Sequence, residues 1–202
     1  MPDFSPFVGK YMGTNTMAEE KKPPSSASRK GTWILIAGLG NLLLRDAGVG
    51  VHAAHELRQD PPPGVRVVEV GTAVLDDLHL FNEADRILAI AAMQAGGSPG
   101  TLYSLRLSEA EDRSAQASLH ELNLLGAFGF LPDGKRPPVA FLGVEPAVID
   151  YGLDLSPEVQ SVLPVLIQWV REIVDCWQRE TSEGEEARII SIPSAQVCFS
   201  AI

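Results

Sequence analysis

Apolar residues in this chain come in short bursts separated by glycine, proline and charge. The first burst, Trp33 to Ala37, is long enough for one buried strand and too short to span a membrane. Gly38, Gly40 and Asn41 break it. Gly48, Val49, Gly50 and Val51 then lead into a helical pattern that runs to about Gln59 and stops before Pro61-Pro62-Pro63-Gly64. Val65 to Val70 is β-branched and bounded by Gly64 and Gly71, a second strand. Thr72 to Phe81 predicts a short helix on the strength of Leu75, Leu78 and Leu80. Arg86 to Ala92 is a third strand. Gln94 to Gly100 is a turn, and Thr101 to Leu107 alternates as an edge or antiparallel strand does.

The polar stretch Ser108 to Ala117 predicts an exposed loop, and His120 to Gly129 a helix with Ser118 as its cap. Leu131 to Lys135 reads as a turn before a fifth strand, Pro138 to Val144, closed by Glu145-Pro146. Ser156-Pro157 is a helix start: a capping hydroxyl followed by proline at the first helical position. The helix it opens, Pro157 to about Arg179, places Val159, Val162, Leu163, Leu166, Val170 and Val174 on one face, with Pro164 expected to kink it. Thr181 to Glu186 reads as an acidic linker, and Ile189 to Ile192 as a final strand or loose segment. The order β-α-β-α-β-β-α-β-α implies an α/β fold with a mostly parallel five-stranded sheet, helices on both faces and one antiparallel strand, the fourth. Residues 1–31 carry no hydrophobic period and are expected to be a disordered tail, with Met17 a second possible start of translation. Residues 32–180 form the domain and 181–202 a C-terminal extension.

Composition narrows the function classes. The 202 residues are 45% hydrophobic and 21% charged, in keeping with one globular domain. A net charge of −10 argues against nucleic acid or an anionic membrane as partner. Cys176 and Cys198 follow no metal spacing and read as reduced thiols. No basic flank precedes an apolar core near the N-terminus, so a cytoplasmic location is expected.

The chemistry should sit in the loop after the first strand, since open α/β sheets place their sites at that edge. A dinucleotide fingerprint fails there: its third glycine would fall at Leu43. Gly-x-Ser-x-Gly, the phosphate-binding loop and His-Glu-x-x-His are absent as well. What stands out is Gly38-Leu39-Gly40-Asn41-Leu42-Leu43-Leu44-Arg45-Asp46-Ala47-Gly48-Val49-Gly50. Gly71-Thr72, Pro99-Gly100-Thr101, the His120 helix, Gly143-Val144-Glu145-Pro146 and Gly152 to Val159 follow it in order.

Together these segments resemble the [NiFe]-hydrogenase maturation endopeptidases, whose opening motif is Gly-x-Gly-Asn-x-Leu-x-x-Asp-(Glu/Asp)-x-x-Gly. The resemblance covers most of Trp33 to Arg179. It implies a three-layer α/β/α sandwich and the removal of a C-terminal extension from the large subunit of a [NiFe] hydrogenase. It also implies Gly40, Asn41, Gly71 and Thr72 as loop residues facing the substrate. No tightly bound cofactor is implied; the nickel belongs to the substrate and is sensed by two carboxylates and a histidine. The histidine is His120. The two carboxylate positions fall at Ala47 and Ala91, which have no donor atom. Asp46 is the best substitute ligand, ahead of His52, His55, Asp76, Asp77 and His79. The resemblance therefore implies a large-subunit precursor as partner and leaves two activities open: an endopeptidase of aspartic-like type, or a non-catalytic homologue acting as chaperone or assembly factor. No catalytic residue is assigned.

Overall fold

The computed structural model describes residues 32–106 and 137–182. The tail 1–31, the His120 helix and its flanking loop and turn, and Ile189 to Ile192 lie outside them. In chain order the elements are β1 (Ile34–Leu39), α1 (Val49–Gln59), β2 (Val65–Gly71), α2 (Leu78–Glu83), β3 (Arg86–Ala92), β4 (Leu102–Arg106), β5 (Val139–Val144) and α3 (Pro157–Ser182). A 3-10 turn, Arg45–Gly48, leads into α1.

The five strands form one sheet in the order β2-β1-β3-β5-β4. β1 runs parallel to β2 and β3, and β3 parallel to β5. β4 runs antiparallel to β5, Leu102 opposite Val144 and Arg106 opposite Ala140. The short connection from β3 allows no crossover, so the chain must turn back.

Strand side chains alternate between two cores, as the period of two requires. Ile34, Ile36, Leu88, Ile90, Ala140 and Leu142 pack under α1 and α3. Leu35, Ala37, Leu39, Ile87, Ala89, Ala91 and Phe141 pack on the opposite face with Leu80 and Phe81 of α2. The three central strands are buried on both faces, which is why they read as unbroken apolar runs. α1 gives Val49, Ala53 and Leu57 to the first core; α3 gives Val159, Leu163, Leu166, Val170, Val174 and Trp177. The far end of α3 is held by Arg86, which pairs with Glu180 at 2.7 Å and lies 5.4 Å from the Trp177 ring centre.

Two expectations are corrected, and the expected helix at Pro157 is found to run unbroken past its internal proline. The helix predicted from Thr72 begins only at Leu78. Residues 70–78 instead make successive four-residue turns, Ala73 N–H to Val70 O, Asp76 N–H to Ala73 O and Leu78 N–H to Leu75 O. Leu75, one of the leucines on which that helix was predicted, is exposed, and Val74 is the buried residue. α3 continues through Pro164, which sits with Gln160 on the exposed side of the helix. The linker expected from Thr181 is helical through Ser182.

Candidate functional site at the strand ends

β1 leads through α1 to β2 on one side, while β3 lies on the other side of β1. Loops leaving β1 and β3 therefore diverge at the carboxyl ends of the strands, where open α/β sheets set their crevice. The loop after β1 is shaped by close approach. Gly40 has φ 127°, a conformation that favours glycine, and a Cβ there would lie 1.9 Å from the Ala47 carbonyl oxygen. Its N–H donates to Gly71 O at 3.0 Å, tying the loop to the end of β2. Asn41 N–H donates to Ala47 O at 3.2 Å, while Asn41 Oδ1 accepts the Leu43 N–H at 3.0 Å, a side-chain-closed turn. Gly50 brings the start of α1 onto the sheet: a Cβ there would meet Ile90 O at 2.1 Å and Leu39 O at 2.4 Å.

Asp46 is fully buried, and its carboxylate faces the segment after β5. Oδ2 accepts the N–H groups of Ala147 (2.9 Å) and Val148 (2.8 Å) and the Ser156 hydroxyl (2.8 Å). Oδ1 accepts the Ser156 N–H at 2.7 Å. Burial pushes the Asp46 pKa up, but hydrogen bonds from Ser156, Val148 and Ala147 more than offset it. The group is held below the ordinary value of 3.8. Ser156 Oγ also accepts the Val159 N–H at 3.3 Å, so one hydroxyl caps α3 and clamps Asp46. The backbone completes the join: Asp46 N–H to Val148 O, Arg45 N–H to Gly152 O and Gly152 N–H to Leu43 O. Arg45 accepts a left-handed φ of 47° to make this possible, an unusual conformation for a side-chain-bearing residue.

Glu145, at the end of β5, does the same for the loop after β3. Its carboxylate accepts N–H groups from Ala95 (2.8 Å), Gly96 (3.3 Å) and Gly97 (3.3 Å) and the Tyr103 hydroxyl (2.7 Å). The loop after β1 thus holds the loop after β5, and the end of β5 holds the loop after β3. Two buried carboxylates lock three strand-end loops together. The sequence marks Glu145 as a strand terminator and as part of the Gly143-Val144-Glu145-Pro146 segment, but the three consecutive N–H groups that bind it lie about fifty residues away.

Of the residues expected at the site, Gly40, Asn41, Asp46, Ala47 and Gly71 are brought together by the contacts above. Thr72 follows on the exposed side of the same edge. Ala91 closes β3 opposite Gly143 of β5. Ala47 and Ala91 are 5% and 3% exposed, so both methyl groups are packed away from solvent. Asp46 does not aim a free oxygen at the crevice, because four protein donors already occupy its carboxylate. The other candidates lie apart. His52 Nε2 sits 3.1 Å from Leu153 O, His55 Nδ1 sits 3.5 Å from Glu69 Oε1, and Asp76 and His79 are exposed around the start of α2. Among the described residues no three His, Cys, Asp or Glu side chains converge on a point that could hold a metal. His120 lies outside the described residues. The donors that the described residues place around these strand ends therefore do not by themselves make up the two-carboxylate, one-imidazole set.

A parallel α/β sheet with its crevice at the β1–β3 switch point defines the class of molecule. The model of the hydrogenase maturation protease family matches residues 51–173, and the chain belongs to that family. It is 29% identical over 183 residues to the hydrogenase expression/formation protein HupD of Bradyrhizobium diazoefficiens, covering 84% of this chain and 93% of that one. It is also 29% identical over 143 residues to the hydrogenase 2 maturation protease of Escherichia coli, covering 68% and 87%. Among solved structures, the E. coli hydrogenase maturating endopeptidase HybD superposes with a TM-score of 0.65 at 27% identity, over 71% of this chain and 92% of that chain. The [NiFe] hydrogenase maturation protease HybD of Thermococcus kodakarensis gives 0.63 at 27%, over 70% and 98%.

Proposed function

We propose that this chain acts on the C-terminal region of a [NiFe]-hydrogenase large-subunit precursor during maturation, in the cytoplasm. Family membership, with the strand-end loops locked into a preformed crevice, carries this reading. Recognition rests on the polypeptide of the precursor more than on its nickel, because positions 47 and 91 offer methyl groups and Asp46 is committed to its clamp. No helix among the described residues is long and apolar enough to cross a membrane, in keeping with action on a soluble precursor.

A second reading, in which the chain holds the precursor without cutting it, starts from the two alanines but is not favoured by relatives named as maturation proteases. One experiment covers both. The full chain is incubated with a nickel-loaded precursor, and loss of the C-terminal peptide is followed by mass spectrometry alongside complex formation on a sizing column. Cleavage supports the endopeptidase. A stable complex without cleavage supports the assembly factor. Absence of both complex and cleavage overturns the proposal.

A further inference from the structure

The outer rim of the crevice differs from its interior. Leu43 is 60% exposed and Tyr151 87%, and Val148 and Ile149 are exposed beside them. These four make up most of the large apolar side chains exposed among the described residues, and the backbone ties them into one place. Leu43 O accepts the Gly152 N–H, Leu44 bridges Gly152, and Val148 is bound on both sides by Asp46. Leu43 is not loose: its own N–H is closed onto Asn41 Oδ1. Its exposure is built in. Apolar side chains gathered at one site on a tethered backbone mark a contact surface, and tyrosine is a frequent anchor in such surfaces.

Charge says what kind of partner fits. From Glu145 to Glu158 the chain carries no lysine or arginine, while Asp150, Asp154 and Glu158 are exposed. Arg45 is the only base in the loop from Gly38 to Gly50, and its stem lies along Gly152. Among the described residues, the segment that carries most of the apolar rim is therefore acidic, on a chain of net charge −10.

We infer that Leu43, Val148, Ile149 and Tyr151 form the docking surface for a partner segment in which apolar residues are flanked by lysine or arginine. This rests on the proposed function, since the surface borders the same crevice, and it names how the precursor is gripped. Apolar contacts supply the affinity, and Asp150 and Asp154 supply selection against acidic segments.

The test uses the full chain and a fluorescein-labelled synthetic peptide with a short Leu/Ile core between pairs of lysines, plus a control with glutamates in place of the lysines. Fluorescence anisotropy should show the lysine peptide binding at least about tenfold more tightly than the glutamate peptide. The double variant L43S/Y151S should lose most of that binding with an unchanged thermal melt, since both side chains are exposed. D150K/D154K should reverse the preference. Equal binding of the two peptides, or indifference to L43S/Y151S, overturns the inference. So does sedimentation showing a dimer of the chain that L43S/Y151S dissolves, which would make a second copy the occupant. Its failure is separable from that of the function: precursor binding undiminished in L43S/Y151S removes only the docking surface, whereas peptide binding with no precursor complex removes only the function.

Discussion

The interior of the crevice and its rim are built on opposite terms. Inside, the polar groups of Asp46 and Glu145 are spent on neighbouring loops, four donors to each carboxylate. At the rim, apolar side chains stand in water with their backbones fixed. Buried carboxylates of this kind contribute stability only while every donor is in place, so they hold the loops rigidly and are costly to disturb. Exposed leucine and tyrosine contribute nothing to folding and are useful only to something that covers them. The interior therefore sets shape and the rim sets recognition, and substitutions should separate the two.

The largest effect is expected at the packing of α1 on the sheet. Gly50→Val forces a side chain into the carbonyl oxygens of Ile90 and Leu39, and should cost at least about 4 kcal/mol and abolish the cooperative thermal transition. Next comes Asp46→Asn. The amide turns donors toward donors at a site with no water to relieve them, and about 3 kcal/mol should be lost in urea unfolding. The same variant checks a pH dependence. The Asp46 pKa is lowered by folding, so the stability it contributes is fully present above the unfolded value. That contribution fades as pH falls from about 4 toward the lowered folded value. Stability of the wild type should fall more steeply with acid over that range than stability of Asp46→Asn.

Glu145→Gln should cost less, about 2 kcal/mol. Its donors Ala95, Gly96 and Gly97 belong to an exposed loop that can part from it and bind water. Hydrogen exchange should accelerate at those three amides and remain unchanged at Ala147 and Val148. The smallest effect on stability is expected at the rim, where L43S/Y151S should lie within about 0.5 kcal/mol of wild type by chemical denaturation. Loss of folding there, or loss of binding without loss of folding in Glu145→Gln, would break the division between the two regions.

The sequence was legible where burial is two-sided and fails where contacts are distant. β1, β3 and β5 were readable because unbroken apolar runs are what central parallel strands require. The cap at Ser156 was readable because serine followed by proline has a local mechanism. Leu75 misled because a leucine in a turn and a leucine in a helix look alike over so few residues. The deepest miss was Asp46. Its motif position suggested chemistry at the crevice, but its four donors lie more than a hundred positions away, and no local pattern announces them. That Ala47 and Ala91 carry no donor atom was legible; that both are sealed from solvent required the fold.

The central question is whether the precursor is gripped by its chain or by its metal. The direct measurement is the affinity of the full chain for nickel-loaded and nickel-free forms of one large-subunit precursor, side by side in calorimetry. With methyl groups at 47 and 91 and a committed Asp46, the two affinities should agree within about twofold, less than 0.5 kcal/mol apart. A loaded form that binds more than about tenfold more tightly would contradict the account, because a metal-binding set would then have to exist in this protein.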